Sequence, residues 1–397
     1  MPEPKKVVLA SGKVRYRAVV DIGLGVNGKR KQLTITKNTS KEVKAEISRI
    51  ENERNTGSFV APSKLTVDEW LDMWLEKKAE DLEQTTIYNY RVTLDRCRPR
   101  LGHIRLQELT EEDVEAWMLW SLKSGRIRGK GAGTPLSTTS VDMTLARLKE
   151  ALSRAVTKKL VNLNVAENLY IPRKARKVER KSRVVVEPWN VAEVQKFVQT
   201  IQSDRLYAPL LLSLMGLRPA EVCGMRWEDI DLENETLMVA ITRTMMGNKT
   251  VVEKDTKSMA SERGLPLPEM VTAALRKFKA IQAAEKLTLG ADYVDSGYVA
   301  VNEIGEVLTT KQLRTRAYLL MTIAVLRRVR LYDARASCFT YLANNGVLDH
   351  ILARWAGHTN IKTTKRWYVK PDVEDLRGAA QTWGGLVVAE GGVREKL

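Results

Sequence analysis

The sequence predicts a multidomain protein, mainly α with small β elements. Three observations carry that prediction. The chain has 397 residues, more than one ordinary core organises. Two short N-terminal stretches alternate residue types with the period of a strand, whereas residues 65–171 and most of the chain after Pro188 repeat apolar residues at helical spacing. The expected order is a small N-terminal β-sheet plus helix (1–60), a helical bundle (65–171), a basic linker (172–183) and a mixed α+β domain (184–397), with a tail from about residue 370.

Composition narrows the partners. A hydrophobic content of 44% fills such cores, and 65 Lys and Arg against 48 Asp and Glu give a net charge of +17. A polyanion, nucleic acid first, is the leading partner class; ribosomal or membrane-surface binding stays open on charge alone. The three cysteines, Cys97, Cys223 and Cys338, are too scattered for a disulfide framework or a metal cluster, which points to a reducing, cytoplasmic setting. The first residues lack the apolar stretch of a signal peptide, and no run of about 18 apolar residues occurs, so a membrane partner is not expected.

The charge is unevenly spread. Residues 1–64 carry 14 basic and 6 acidic residues, residues 65–171 carry 16 of each, and residues 172–183 carry 7 and 1. Most of the excess therefore lies in the N-terminal segment and the linker.

Residues 13–20 and 31–35 read as two strands, joined by a turn through Gly23, Gly25, Asn27 and Gly28. Residues 39–55 read as a helix with Ala45, Ile47 and Ile50 on its apolar side. Such a sheet presents Arg15, Arg17, Lys29, Arg30 and Lys31 as candidates for contact with a DNA major groove. The plainer alternative is a solvated basic hairpin.

In residues 65–171, Thr66 with Glu69 forms a capping-box pattern, and Trp70, Leu71, Trp74 and Leu75 follow at one-turn spacings as core. A second helix from Thr85 carries Ile87, Tyr90 and Leu94 and stops before Pro99. A third spans residues 110–122, with Thr110 and Asp113 at capping spacing. Residues 125–133 are a loop, and residues 137–160 are a long amphipathic helix. The linker has no apolar period and is expected to be extended, with Arg173, Lys174, Arg176, Lys177, Arg180 and Lys181 either tracking phosphates or simply solvated.

Beyond Pro188, an apolar helix over residues 208–215 leads into Gly216, where a break would present Arg218 at a turn. Pro219, Ala220 and Glu221 restart a helix expected to run on to Trp227. Glu221, three residues after Arg218, lies on the same helical side and is placed to hold its guanidinium. Strands are expected over residues 236–242, 250–253 and 264–268.

The most telling order of residues comes last. Arg218 is followed by Lys257, Arg335, His358 in Gly357-His358, and Tyr368 ten residues after that histidine. A tyrosine preceded by two arginines, a lysine and a histidine suggests a nucleophile aimed at a phosphodiester. The elements Gly216-Leu217-Arg218-Pro219-Ala220-Glu221, Thr256-Lys257-Ser258, Tyr332-Asp333-Ala334-Arg335, Gly357-His358 and Tyr368 together resemble the tyrosine recombinases, the phage-integrase family. Lys254 is the rival assignment for the lysine.

The resemblance implies an arm-binding N-terminal domain, a core-binding bundle and a mixed α+β tyrosine-recombinase catalytic domain. It implies an integrase that cleaves and rejoins double-stranded DNA at core and arm sites, through a 3′-phosphotyrosyl link on Tyr368, as a homotetramer. Tail exchange between protomers, anchored here by Trp383 and Leu386, belongs to the same expectation, as do a DNA-bending protein and an excisionase. The alternatives are a chromosome-dimer resolvase or invertase of the same chemistry, or a DNA-binding regulator whose site has decayed.

The residue types suit that chemistry. A phenol with a pKa near 10 is only about 0.1% ionised at pH 7, and attack on phosphorus loads charge onto the non-bridging oxygens. Arg218 and Arg335 are suited to grip those oxygens, and Lys257 to protonate the departing 5′ oxygen. The energy retained in the phosphotyrosyl link makes ATP unnecessary, and with three histidines no metal or other cofactor is expected. Tyr332 stands where the family most often has histidine. A hydroxyl is a poor proton acceptor near pH 7, so a positioning or structural role is expected, leaving His358 as the sole imidazole.

Overall fold

The computed structural model describes residues 2–24, 30–182, 187–247, 249–255 and 262–358, with Arg377, Ala380 and Gln381. The chain divides into two compact units, Met1–Arg183 and Val184–Leu397. No helix among the described residues is long and apolar enough to cross a membrane.

The first unit opens with an antiparallel sheet in the order β1 (Lys5–Val8), β2 (Val14–Leu24), β3 (Arg30–Lys37). Strand β1 adds to the two that alternation predicts. Helix α1 (Ser40–Asn55) follows, its first turn closed by Thr39, whose side chain accepts from the Glu42 amide. Ala18, Val20 and Ile35 pack with Val43, Ile47 and Ile50 of α1. Val43, not Ala45, completes the buried stripe, because positions 43, 47 and 50 fall at one-turn spacing while 45 points outward. Period two puts Arg15 and Arg17 on the opposite sheet face, and Arg17 and Arg30 are exposed.

The helical part comprises α2 (Val67–Ala79), α3 (Gln84–Leu94), α4 (Arg98–Leu101), α5 (Glu111–Ser124) and α6 (Thr138–Thr157). The Thr66–Glu69 and Thr110–Asp113 capping boxes are both formed. Trp70, Leu71, Trp74, Leu75 and Trp117 are buried together with Leu145, Leu148 and Leu152 of α6. The buried Trp70 indole donates to the Ala151 carbonyl at 3.0 Å, so the ring packs without an orphaned N–H.

The described part of the linker departs from the extended chain expected. Residues Arg173–Ser182 form a helix, α7. Lys, Arg, Ala and Glu are good helix formers, and the segment is anchored on one side only. Ala175 packs on the bundle core, Arg176 pairs with Asp142 at 3.0 Å, and Glu179 accepts from the Thr138 amide at 2.5 Å. Arg173, Lys174, Lys177, Arg180 and Lys181 are exposed.

The second unit contains α8 (Val191–Ile201), α9 (Tyr207–Leu214), α10 (Pro219–Gly224), β4 (Ile230–Asp231), β5 (Thr236–Val239), β6 (Ile241–Met246), β7 (Thr250–Asp255), β8 (Arg263–Pro266), α11 (Glu269–Leu289), α12 (Thr310–Ile323), α13 (Leu331–Asn344) and α14 (Asp349–Ala356). Strands β4, β5 and β8 form one antiparallel sheet and β6 with β7 another. Its core gathers Phe197, Leu210, Leu217, Val222, Leu275, Phe278 and Leu313. Helix α10 is shorter than expected, ending at Gly224 with Trp227 in a separate 3-10 turn. A Cβ on Gly224 would lie 2.8 Å from the Ile241 carbonyl oxygen, so α10 stops where β6 crosses it.

Candidate active site

Helix α9 is buried on all sides and delivers the chain to Gly216 at φ +105°. That left-handed conformation suits glycine, and a Cβ there would sit 3.0 Å from Cζ of Phe339. The reversal turns the Gly216 carbonyl toward Arg335, whose Nη1 donates to it. Two residues on, Arg218 caps α10, with Pro219 at the first helical position, where a proline costs no hydrogen bond.

Glu221 then reaches back. Its Oε2 accepts from the Arg218 amide at 2.7 Å and its Oε1 from Arg218 Nη1 at 2.5 Å. A second guanidinium, Arg263 at the start of β8, donates to the same carboxylate, Nη1 to Oε1 at 3.2 Å and Nη2 to Oε2 at 3.0 Å. Arg335 lies third, Nη1 to Oε2 at 4.0 Å. The side chains of Arg263 and Arg335 are 0% exposed and that of Glu221 is 1% exposed, against 28% for Arg218. Arg218 is thus the more accessible cation of the group.

The C-terminal end of α14 closes the site. Gly357 is left-handed at φ 62° and ψ 47°, and the His358 amide returns to the Ala353 carbonyl at 2.9 Å. Arg263 Nε donates to the Trp355 carbonyl at 2.7 Å, Arg335 Nη2 to the Ala356 carbonyl, and Arg218 Nη2 to the Gly357 carbonyl at 3.4 Å. All three arginines therefore hold successive carbonyls of one turn. Arg335 Nη2 lies 3.4 Å from His358 Nε2. A guanidinium only donates, so this contact is a hydrogen bond in the tautomer that carries the ring proton on Nδ1.

Electrostatics follow from this crowding. Burial, then the charges of Arg335, Arg218 and Arg263, push the His358 imidazole down to about 4. Burial alone would raise the Glu221 carboxyl; hydrogen bonds and charge from Arg263, with the charges of Arg218 and Arg335, outweigh it and hold the carboxyl below its ordinary value. One carboxylate among three guanidiniums leaves an excess of positive charge, which an anion would complete.

The structure brings together four of the residues read from the sequence: Arg218, Glu221, Arg335 and His358. Tyr332 sits on the first turn of α13, one turn before Arg335, and is 47% exposed. Lys254, the rival lysine, lies on β7 opposite Thr242. Lys257, Tyr368, Lys29, Trp383 and Leu386 lie outside the described residues. Arg263 is the member that sequence reading missed. Its signal was present: Arg263, Leu265 and Leu267 alternate with Gly264 and Pro266, the former buried and the latter exposed, so period two already put an arginine on a core face.

Two family models cover most of the second unit and part of the helical bundle. The phage integrase family model matches residues 189–375, and the phage integrase N-terminal SAM-like domain matches residues 66–118. The chain belongs to the phage integrase family. Among curated relatives, this integrase-family protein is 25% identical to the tyrosine recombinase XerC-like protein of Caldanaerobacter subterraneus subsp. tengcongensis, over 95% of this chain and 98% of that one. It is 24% identical to an integrase of Streptomyces ambofaciens, over 95% and 93%. Among solved structures, the Tn1549 transposon integrase in complex with transposon right end DNA aligns with a TM-score of 0.62 at 20% identity, over 81% of this chain and 100% of that one. A lambda integrase dimer bound to a COC' core site gives 0.53 at 16%, over 94% and 97%. These structural likenesses carry the multidomain, mainly α fold.

Proposed function

We propose that this member of the phage integrase family is a site-specific DNA recombinase, an integrase that inserts and excises a mobile element. The observation that carries the reading is the convergence of Arg218, Arg335 and His358 on one turn beside Glu221, within the family-matched region. This is a cationic cradle suited to an anionic phosphate.

In this reading the scissile phosphate enters against Arg218, the more accessible guanidinium, with Arg335 beneath it and His358 at its side. The two guanidiniums stabilise the charge that develops on the non-bridging oxygens. As the Tyr368 oxygen attacks phosphorus its phenolic proton passes to His358 or to solvent, the 5′ oxygen leaves with a proton from Lys257, and the phosphate becomes a 3′-phosphotyrosyl ester. A 5′ hydroxyl from the partner strand reverses the step, returning the proton to lysine and the phenol to the enzyme. His358, neutral at pH 7, is available to donate to a phosphate oxygen or to take up the tyrosine proton. Tyr332 positions.

The exposed Arg17 and Arg30 and the half-buried Arg15 of the N-terminal sheet support DNA contact at arm sites, and the α7 cations Arg173, Lys174, Arg176, Lys177, Arg180 and Lys181 support contact along the duplex. Assembly as a tetramer on two DNA sites fits the relatives, since one of the fold neighbours is a lambda integrase tetramer bound to a Holliday junction. The test is a nicked suicide substrate carrying the protein's own core site. A covalent protein–DNA adduct that Tyr368→Phe abolishes supports the proposal; binding to a verified site without any adduct favours a DNA-binding regulator.

A further inference from the structure

We infer that Arg263 is a positioning residue of the active site, the brace that sets Arg218 and His358 in register; the inference rests on the recombinase reading above. Arg218 belongs to the cap of α10 and His358 to the turn after α14, so 139 residues of chain separate Arg218 from Gly357, the first residue of that turn. The contact between them is the long one from Arg218 Nη2 to the Gly357 carbonyl, 3.4 Å. Shorter bridges come from Arg335, between the Gly216 and Ala356 carbonyls, and from Arg263. Its Nη1 and Nη2 hold the two oxygens of Glu221, at 3.2 and 3.0 Å, and its Nε holds the Trp355 carbonyl at 2.7 Å.

The geometry explains the residue type. Three N–H directions fixed in one plane reach a carboxylate on one side and a helix-end carbonyl on another, which a single ammonium cannot reproduce. Glu221, held from behind, offers Oε1 to Arg218 at 2.5 Å. The fit is close on the other flank as well, since a Cβ on Gly357 would lie 2.9 Å from Arg263 Nη1. Burying an ion pair completely is costly, and apolar residues of similar volume fill such space at no loss of stability. What apolar residues cannot do is aim two other side chains.

A structural brace and a positioning brace differ in what their conservative variants lose. Arg263→Lys keeps the charge without the planar fork, and Arg263→Gln keeps a planar donor without the charge; whichever folds decides. Each is compared with the wild type by thermal melting, by binding to the core-site duplex and by single-turnover cleavage of the suicide substrate. The positioning role predicts binding within about threefold of wild type and cleavage slowed by about a hundredfold, the scale of a misplacement near 1 Å. A folded variant that cleaves at the wild-type rate overturns the role of Arg263 while leaving the recombinase reading intact. Absence of a Tyr368-dependent adduct from the wild type overturns both.

Discussion

Glu221 and Arg263 form a wholly buried ion pair, Oε2 to Nη2 at 3.0 Å, with side chains 1% and 0% exposed. The carboxylate is also the shared acceptor of Arg218, so its loss leaves buried positive charge uncompensated. Glu221→Ala is expected to destabilise the protein by about 3–5 kcal/mol, the usual cost of breaking a buried pair from one side. Chemical denaturation measures this. Because the Glu221 carboxyl is held below its ordinary value, its contribution is present above the unfolded carboxylate pKa and disappears as pH falls through the depressed folded value. The gap between wild type and variant should therefore narrow in acid.

Gly216 carries the turn that aims its carbonyl at Arg335. A Cβ would add strain at φ +105° and press on the Phe339 ring at 3.0 Å. Gly216→Ala is expected to cost about 1–3 kcal/mol and to slow cleavage more than it weakens DNA binding. Equal losses in both would show that the turn serves stability alone.

His358 titrates in an unusual range. Its folded pKa of about 4 lies below the 6.5 of an unperturbed histidine, so between those values the unfolded chain holds the extra proton. This group therefore lowers stability as pH falls from about 6.5 toward 4 and has no such effect above that window. NMR titration of the free protein is the check. His358 should stay neutral through pH 6; protonation near 6.5 would mean that burial and the charges of the three guanidiniums do not act on it as described.

The cations of α7 lead to a salt-dependence test. Lys174, Lys177 and Lys181 are exposed on a helix whose opposite side is tied down by Arg176 and Glu179. Replacing all three with Gln should reduce the slope of log K against log salt for duplex binding by up to about 3, near 0.9 for each phosphate no longer neutralised. An unchanged slope would assign these lysines to solvent.

Much of this molecule was legible in its residue order. The Thr66–Glu69 and Thr110–Asp113 boxes state their helix starts locally, because a cap joins residues three apart. Gly216 before Arg218 announced a turn for the same reason. What was not legible depended on neighbours distant in sequence. Helix α7 needs Asp142 and the Thr138 amide to anchor a run of cations that otherwise reads as extended. Arg263 became visible as part of the site only when β8, α10 and the end of α14 met around Glu221. Its alternation with Leu265 and Leu267 gave its face, but nothing local gave its partner.

The central claim is that the cradle of Arg218, Arg335 and His358 serves a nucleophile at Tyr368. Trapping the wild-type protein on a nicked suicide substrate, digesting the adduct and locating the nucleotide by mass spectrometry tests it most directly. The account predicts a 3′-phosphonucleotide on the peptide containing Tyr368, and no adduct from Tyr368→Phe. A nucleotide attached to any other residue, or through its 5′ end, would contradict it.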